Sequence, residues 1–159
     1  MTPEHFRRLC GQFATGVVII TTIDEHGKPC GMTANSFASV SLDPPLISVA
    51  IDHAATIFPA MQGSLRFTVN VLTTRQEPLS RRFAAGLDDR FDGVDWRRDN
   101  SGQVILEDSL AHICCEKWAE VPAGDHTIFI GQVVAGATNP DGKPLLHVRG
   151  AYQHAPRSW

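Results

Sequence analysis

Between Thr33 and Leu42 the chain carries hydroxyl and amide side chains but no charged residue. A strand whose polar face meets water usually carries charged residues there, so this composition is unusual. Small uncharged hydrogen-bonding groups fit a partly dry groove, in which each group must find a partner. Two interpretations remain open. The hydroxyls bond the backbone of neighbouring strands, or they line the site of a flat, polar ligand.

Three other side chains have the chemistry to contact a ligand. Arg81 and Arg82 lie on a predicted helix, where a guanidinium could bind phosphate or could simply be solvated. His126 begins a predicted strand, where a lone histidine is commonly structural but an imidazole could also contact a ligand. The residues alone leave both alternatives open at each position.

The cysteines and histidines do not have the spacing of a metal site. The four cysteines, at positions 10, 30, 114 and 115, form no Cys-x-x-Cys pair, and the seven histidines are scattered. We therefore assign no metal and no disulfide framework, and we expect reduced thiols in a cytoplasmic protein. The first residues also lack the charged and then apolar pattern of a signal peptide.

Length and composition indicate one globular domain over residues 1–159. Hydrophobic residues make up 43% of the chain and charged residues 19%, which is ordinary for such a domain. The net charge of −3 gives no indication of a nucleic-acid or anionic-membrane partner. No apolar run approaches the roughly 18 residues that a membrane span needs.

Hydrophobic periodicity predicts strands joined mostly by hairpins, together with a few short helices. The predicted strands cover residues 17–23, 32–42, 46–51, 66–72, 111–121, 126–134 and 144–153. The predicted helices cover residues 3–13, 54–62 and 76–85, and Pro59 indicates that the second is short or starts late. Residues 86–110 are rich in loop signals. Six or more strands in this order favour an antiparallel barrel or sandwich over a parallel sheet.

Three features inside the predicted strands call for special structure. The run 17–23 is apolar throughout, which predicts burial on both faces. Asn70 lies in mid-strand and needs hydrogen-bond partners. Gly131 interrupts a strand, which predicts a bulge or a close backbone approach.

Several catalytic motifs are absent from the sequence. No Gly-x-Gly-x-x-Gly follows a predicted strand, and there is neither a Walker loop nor a Gly-x-Ser-x-Gly elbow. A dinucleotide-binding fold, a kinase and a serine hydrolase therefore lose their usual support.

Seven segments taken in order resemble the short-chain flavin reductases: residues 15–18, 31–37, 39–46, 67–72, 79–84, 124–128 and 147–152. The resemblance covers nearly the whole chain. It implies a mainly β fold, the six-stranded antiparallel split β-barrel of Greek-key type that binds FMN, with short flanking helices. It also implies that the protein supplies reduced flavin to a separate monooxygenase, as members of this family often do.

The resemblance also implies roles for individual residues. Along the isoalloxazine ring and the rest of the flavin it places Thr33, Ala34, Asn35, Ser36, Ser41, Ala50, Ile51 and Asp52. Near the phosphate-bearing tail it places Ser80, Arg81 and Phe83. His126 would lie on the nicotinamide side, and Tyr152 would form a second wall of the site.

The sequence departs from the family pattern after Asp52. Relatives usually carry a basic residue and hydroxyls before a threonine, whereas this chain has His53, two alanines and Thr56. Only Thr56 and the titratable His53 remain there to hold a phosphate. This departure puts the flavin affinity and the choice between FMN and FAD in doubt.

The implied reaction is hydride transfer from C4 of NADH or NADPH to N5 of FMN or FAD. The flavin carries the chemistry, while the protein positions donor and acceptor and stabilises the charge that develops. The resemblance further implies a homodimer. Two rivals stay open: a split-barrel protein that keeps FMN as a fixed prosthetic group, and a non-enzymatic binding module.

Overall fold

The computed structural model describes residues 1–86 and 89–154, and over these ranges the protein is mainly β. The helices are α1 (Pro3–Cys10), α2 (Phe58–Gly63) and α3 (Glu77–Ala84), with a 3-10 turn at Thr74–Gln76 before α3. The strands are β1 (Thr15–Gly16), β2 (Val18–Ile23), β3 (Pro29–Ala34), β4 (Ala38–Leu42), β5 (Pro45–Asp52), β6 (Arg66–Val71), β7 (Trp96–Arg98), β8 (Val104–Leu106), β9 (Ala111–Ala123), β10 (His126–Thr138), β11 (Leu145–Val148) and β12 (Ala151–His154).

One seven-stranded antiparallel sheet, in the order β3-β2-β6-β9-β10-β5-β4, wraps around the main core. Six of its strands send side chains into a single apolar cluster, which α2 also joins. Its fully buried members include Ile20, Val49, Phe67 and Phe129. The antiparallel barrel predicted from the sequence is confirmed, although the sheet has seven strands rather than six.

A second core covers the outer side of β2. Val17 and Ile19 point away from the barrel interior and pack with Phe83 of α3, Leu106 of β8 and Leu145 of β11. Side chains alternate along a strand, so β2 serves both cores at once. This arrangement confirms the predicted burial of residues 17–23 on both faces.

The predicted single strand over residues 32–42 is wrong. The chain leaves the sheet after Ala34 and re-enters it at Ala38. β3 pairs with β2 at one edge of the sheet and β4 pairs with β5 at the other, so residues 35–37 must cross between the edges. The crossing ends the alternation: Met32 packs on the barrel core, whereas Leu42 is 96% exposed.

The predicted last strand over residues 144–153 is also wrong, because it is a hairpin. β11 and β12 pair through a two-residue turn at Arg149 and Gly150, whose φ angles are 52° and 76°. Positive φ at both central residues is the geometry of a tight hairpin turn. α1 ends at Cys10 rather than at residue 13, and α2 starts late, as Pro59 predicted. No helix in the described ranges is long and apolar enough to cross a membrane.

The close approach predicted at Gly131 is confirmed and gives a stability prediction. The pairing of β10 with β9 shifts between Ile130 and Gly131, and a Cβ on Gly131 would lie 2.5 Å from the Phe67 ring. We expect Gly131→Ala to lower the free energy of unfolding by about 1–3 kcal/mol, because the core must shift to admit a methyl group. Urea unfolding followed by tryptophan fluorescence measures this.

The matched control for this substitution is Gly63→Ala at the end of α2. A Cβ there meets no atom within 4 Å, and the residue does not have a positive φ. Its free energy of unfolding should change by about 0.5 kcal/mol or less. Equal stability of the two variants would contradict the close packing at Gly131.

Candidate functional site

The crossing segment places two of the predicted hydroxyls in contact with backbone. Ser36 Oγ donates to the Ala50 carbonyl at 2.9 Å and accepts from the Ala50 N–H at 3.1 Å. Thr33 Oγ1 donates to the Ser80 carbonyl at 2.6 Å. For these two residues, the interpretation in which hydroxyls bond neighbouring backbone is therefore correct. Asn35 lies between them, exposed, and its amide makes no side-chain hydrogen bond to the described residues.

The pairing of β5 with β10 brings further predicted residues together. Asp52 lies directly opposite His126, and Ala50 lies opposite Ile128. Directly paired residues share a face of the sheet, and the half-buried residues of both strands face outward here. Ser36, Ala50, Asp52 and His126 thus form one continuous surface, which we call the β5–β10 site.

His126 is held by its neighbour in the chain. Its Nδ1 lies 2.7 Å from Oδ1 of Asp125, and its side chain is 41% exposed. The hydrogen bond and the charge of His126 lower the pKa of Asp125, so the carboxylate is ionised at neutral pH and accepts the bond. Nδ1 therefore carries a proton, and the opposite edge of the ring is left to face a ligand.

His53, the other histidine near this site, is engaged in structural contacts. Its Nε2 lies 3.0 Å from the hydroxyl of Thr127, and its ring packs on Phe58 with centroids 4.8 Å apart. Asp52 accepts the Ala54 N–H at 2.8 Å, which shapes the turn that leaves β5. These contacts fix the direction of the chain toward Thr56.

The predicted residues of α3 and the C-terminal hairpin form a separate cluster. Ser80 is fully buried, with Oγ 2.7 Å from the hydroxyl of Tyr152. Arg81 donates twice to Glu77, at 3.0 and 2.7 Å, and lies over the Tyr152 ring. The hydrogen bond from His154 and then that from Arg81 lower the pKa of Glu77. The polar groups of this cluster are thus directed mainly at one another.

Four other predicted residues present little or no side chain to the β5–β10 site. Phe83 is 1% exposed and belongs to the second core, where its ring closes against Gly31. Ile51 and Ala34 point into the barrel core, so only their backbone could meet a ligand. Ser41 lies opposite Leu46, four residues along β5 from Ala50 and therefore roughly 13 Å away.

Sequence reasoning missed Arg90, which contacts the predicted residue Thr56. Its Nη2 donates to Thr56 Oγ1 at 2.9 Å and its Nη1 donates to the Gly31 carbonyl at 2.8 Å. Arg90 and Thr56 are 34 residues apart in the chain, so no local sequence pattern predicts their contact. The only signal in the sequence was the absence of a basic residue after Asp52. This absence suggests that a cation from elsewhere in the chain takes its place.

Other parts of the described chain contribute less to a candidate site. A cavity of about 560 Å³ lies beside β2 and β6, lined by Thr22, Arg66, Gln103 and Lys117 among others, and it holds none of the predicted residues. The cysteines are free, and burial raises the pKa of Cys115 to about 12. In residues 1–86 and 89–154, no three metal-ligating side chains come together.

Comparison with known proteins decides the family. Residues 10–156 match the family described as "Flavin reductase like domain". The chain belongs to this family. The reductase subunit of a flavin-dependent monooxygenase from Mycobacterium tuberculosis is 40% identical over 152 residues, which are 94% of this chain and 81% of that protein. The flavin reductase resemblance seen in the sequence is therefore confirmed.

Two further relatives differ in how much of their own length this chain covers. A probable flavin reductase of Rhizobium meliloti is 43% identical over 94% of this chain, but the chain spans only 48% of that protein's length. The solved NADH:FAD oxidoreductase of Streptomyces globisporus, in complex with NAD and FAD fragments, superposes with a TM-score of 0.91 at 35% identity. That match covers 97% of this chain and 93% of the other.

Proposed function

We propose that this flavin reductase family member is an NAD(P)H:flavin oxidoreductase, with FMN or FAD as acceptor and NADH or NADPH as donor. One structural observation supports the proposal in addition to family membership. Strand pairing places His126 opposite Asp52, beside the contact between Ser36 and Ala50. The Ser36 hydroxyl and the small side chain of Ala50 thus lie next to the His126 imidazole. When bound there, the flavin supplies the hydride acceptor.

The residues around the β5–β10 site fit a flat ring with a polar edge. Ala50 has a side chain small enough for close approach, and the Asn35 amide is exposed, with no side-chain hydrogen bond to residues 1–86 or 89–154. The Ser36 hydroxyl holds the crossing segment against β5, which fixes the position of Asn35. In this proposal Asn35 and the backbone of residues 33–36 bind the polar edge of the ring.

His126 lies on the nicotinamide side of the proposed site. Its ring is oriented by Asp125 through the bond at Nδ1. The hydride step does not require His126 to transfer a proton. Its role is to hold the donor in line with the acceptor, since a correctly oriented pair of reactants removes much of the entropic barrier.

Oxidation of NADH and of NADPH, each with FMN, FAD or riboflavin added in turn, tests the proposed activity. A reductase that uses flavin as a substrate gives a rate that saturates with added free flavin. Turnover independent of added flavin would instead favour a fixed prosthetic group. Absence of both flavin binding and NAD(P)H oxidation would overturn the proposal in favour of a non-enzymatic module.

The likeness to the monooxygenase reductase subunit from Mycobacterium tuberculosis supports a second part of the proposal. The product, reduced flavin, diffuses to a separate flavin-dependent monooxygenase. Coupled turnover with such an oxygenase, kept apart by a membrane permeable only to small molecules, tests free diffusion. Activity only when the two proteins share a compartment would contradict it.

We also propose that two copies of the chain pair through the outward face of β9 and β10. Val121 and Ile128 lie in one row across these strands, and Ala119 and Ile130 lie in the next. Val121 is 44% exposed, and nearby Trp118 is 56% exposed. Such an apolar face beside the β5–β10 site would be covered by the same face of a second copy.

Val121→Glu should convert the dimer to a monomer, because a charge would be buried in the interface. Light scattering coupled to size exclusion gives the mass. Leu65→Glu is the matched control, since Leu65 is 78% exposed but lies outside this face. A wild-type protein that runs as a monomer would contradict the proposed pairing.

A further inference from the structure

Helix α3 packs on β3 just before the chain leaves the sheet. A Cβ placed on Gly31 would lie 2.7 Å from the Phe83 ring, so this ring packs directly on the backbone of the strand. Thr33 Oγ1 donates to the Ser80 carbonyl at 2.6 Å. The two contact residues on each element share one face, because they are three apart on the helix and two apart on the strand. α3 therefore holds β3 at two positions, the second of them only two residues before Asn35.

Hydrogen bonds hold the chain on both sides of Asn35. On the N-terminal side, Thr33 is attached to α3 through its hydroxyl. On the C-terminal side, Ser36 Oγ is bonded to both backbone groups of Ala50 in β5. The position of the Asn35 amide, which the proposed function places at the polar edge of the flavin ring, therefore depends on α3 as well as on β5.

The C-terminal hairpin is attached to α3 through its last strand, β12. The hydroxyls of Ser80 and Tyr152 lie 2.7 Å apart, and the Arg81 guanidinium lies 4.6 Å from the centroid of the Tyr152 ring. Glu77 Oε2 lies 2.8 Å from His154 Nε2. Ser80 thus belongs to both contacts of the helix, because its carbonyl accepts from β3 while its hydroxyl is bonded to β12.

The burial of Ser80 favours an indirect role over contact with a ligand. Its exposed fraction is 0%, and its hydroxyl is engaged by Tyr152. The Tyr152 ring also packs on His147, with centroids 5.6 Å apart. Contact between the Ser80 side chain and the flavin tail, near which the resemblance placed it, would require α3 to separate from β12. No such movement is needed for Ser80 to act through Thr33.

We propose that Ser80 and Tyr152 are positioning residues for flavin binding and that neither side chain touches the flavin. Their hydrogen bond fixes α3, the Ser80 carbonyl fixes Thr33, and Thr33 sets the position of Asn35 against the ring. The ring is common to FMN, FAD and riboflavin, so the effect does not depend on the phosphate. This inference rests on the proposed function, because it concerns the same flavin site.

A double-mutant cycle between Tyr152 and Thr33, with flavin affinity measured by fluorescence titration, tests the inference. Tyr152→Phe removes the hydroxyl but keeps the ring, and it should weaken FMN and riboflavin binding by the same factor, about 3- to 10-fold. Thr33→Val should weaken both by at least as much. The double variant should lose no more than Thr33→Val alone, because Tyr152 acts through Thr33. Additive losses would mean that Tyr152 contacts the flavin directly, which would overturn the inference.

Ser80→Ala provides a second variant, and Ser109→Ala is its matched control. Ser109 is also a buried serine, and its Oγ donates to the Leu106 carbonyl at 3.1 Å, away from β3 and α3. Both substitutions should lower the urea midpoint of unfolding. Only Ser80→Ala should weaken flavin binding, by the same factor as Tyr152→Phe, in protein that circular dichroism shows to be fully folded.

Two further outcomes would contradict the positioning role. Wild-type affinity for both flavins in folded Tyr152→Phe and Ser80→Ala would mean that this hydrogen bond serves stability alone. A loss confined to FMN would place these two residues at the phosphate instead of behind the ring. A wild-type protein that binds neither FMN nor riboflavin would, by contrast, overturn the proposed function itself.

Discussion

Replacing His126 with alanine should lower kcat/KM for NADH by about 100-fold, while the affinity for flavin stays close to that of the wild type. The imidazole lies opposite Asp52 and is oriented by Asp125, so its loss removes a group that positions the nicotinamide. Misplacement of a reactant by about 1 Å is enough for an effect of this size. Steady-state kinetics with varied NADH, together with fluorescence titration of FMN, separate the two quantities.

The control for this substitution is His26→Ala, because the side chain of His26 is 81% exposed in a distant turn. Its kinetic constants should match those of the wild type. Asp125→Asn should give a smaller loss than His126→Ala, since the ring is kept but its hydrogen bond is weakened. An unchanged kcat/KM in His126→Ala would remove this residue from the proposed site.

Asn70→Leu should lower the free energy of unfolding by about 3–5 kcal/mol, a large part of the stability of a typical domain. Asn70 is fully buried in β6, where Nδ2 donates to the Ile19 carbonyl at 3.1 Å and to Thr21 Oγ1 at 3.0 Å. Its Oδ1 accepts the Leu106 N–H at 2.9 Å. Leucine has a similar volume, so the loss would come from unpaired polar groups rather than from a cavity.

Urea unfolding measures this loss, with Asn100→Leu as the control in an exposed loop. The control should change the free energy of unfolding by about 0.5 kcal/mol or less. The decrease in Asn70→Leu should persist at every pH at which the fold is stable, because no charge is involved. A stability equal to that of the wild type would mean that β8 does not depend on Asn70 for its attachment to the barrel.

The burial of a strand could be predicted from the sequence where the composition of the strand itself indicates it. The apolar run of β2 gave its burial on both faces, and the polar residue in the middle of β6 indicated a buried hydrogen-bond centre. The close approach at Gly131 could be predicted for the same reason, because a glycine inside a strand is unusual and needs a local cause. These features depend on few residues, all near one another in the chain.

The crossing at residues 35–37 could not be predicted in this way. Alternation continues through it in the sequence, and only the pairing of β3 with β2 and of β4 with β5 shows that the chain changes edges. The position of Arg90 was equally hidden, because its contacts reach Gly31 and Thr56 across 59 and 34 residues. The resemblance placed Phe83 near the flavin tail, whereas the structure buries its side chain in the second core.

Two side chains attach the crossing segment to β5: Phe37 packs on the barrel core, and Ser36 supplies the side-chain hydrogen bonds. Both contacts between Ser36 and Ala50 pass through one hydroxyl oxygen. Rotation about the Cα–Cβ bond of Ser36 would release both together without unpairing any strand. The crossing segment can therefore lose these two hydrogen bonds on the timescale of a rotamer change, while Phe37 stays packed on the core and β4 stays paired with β5.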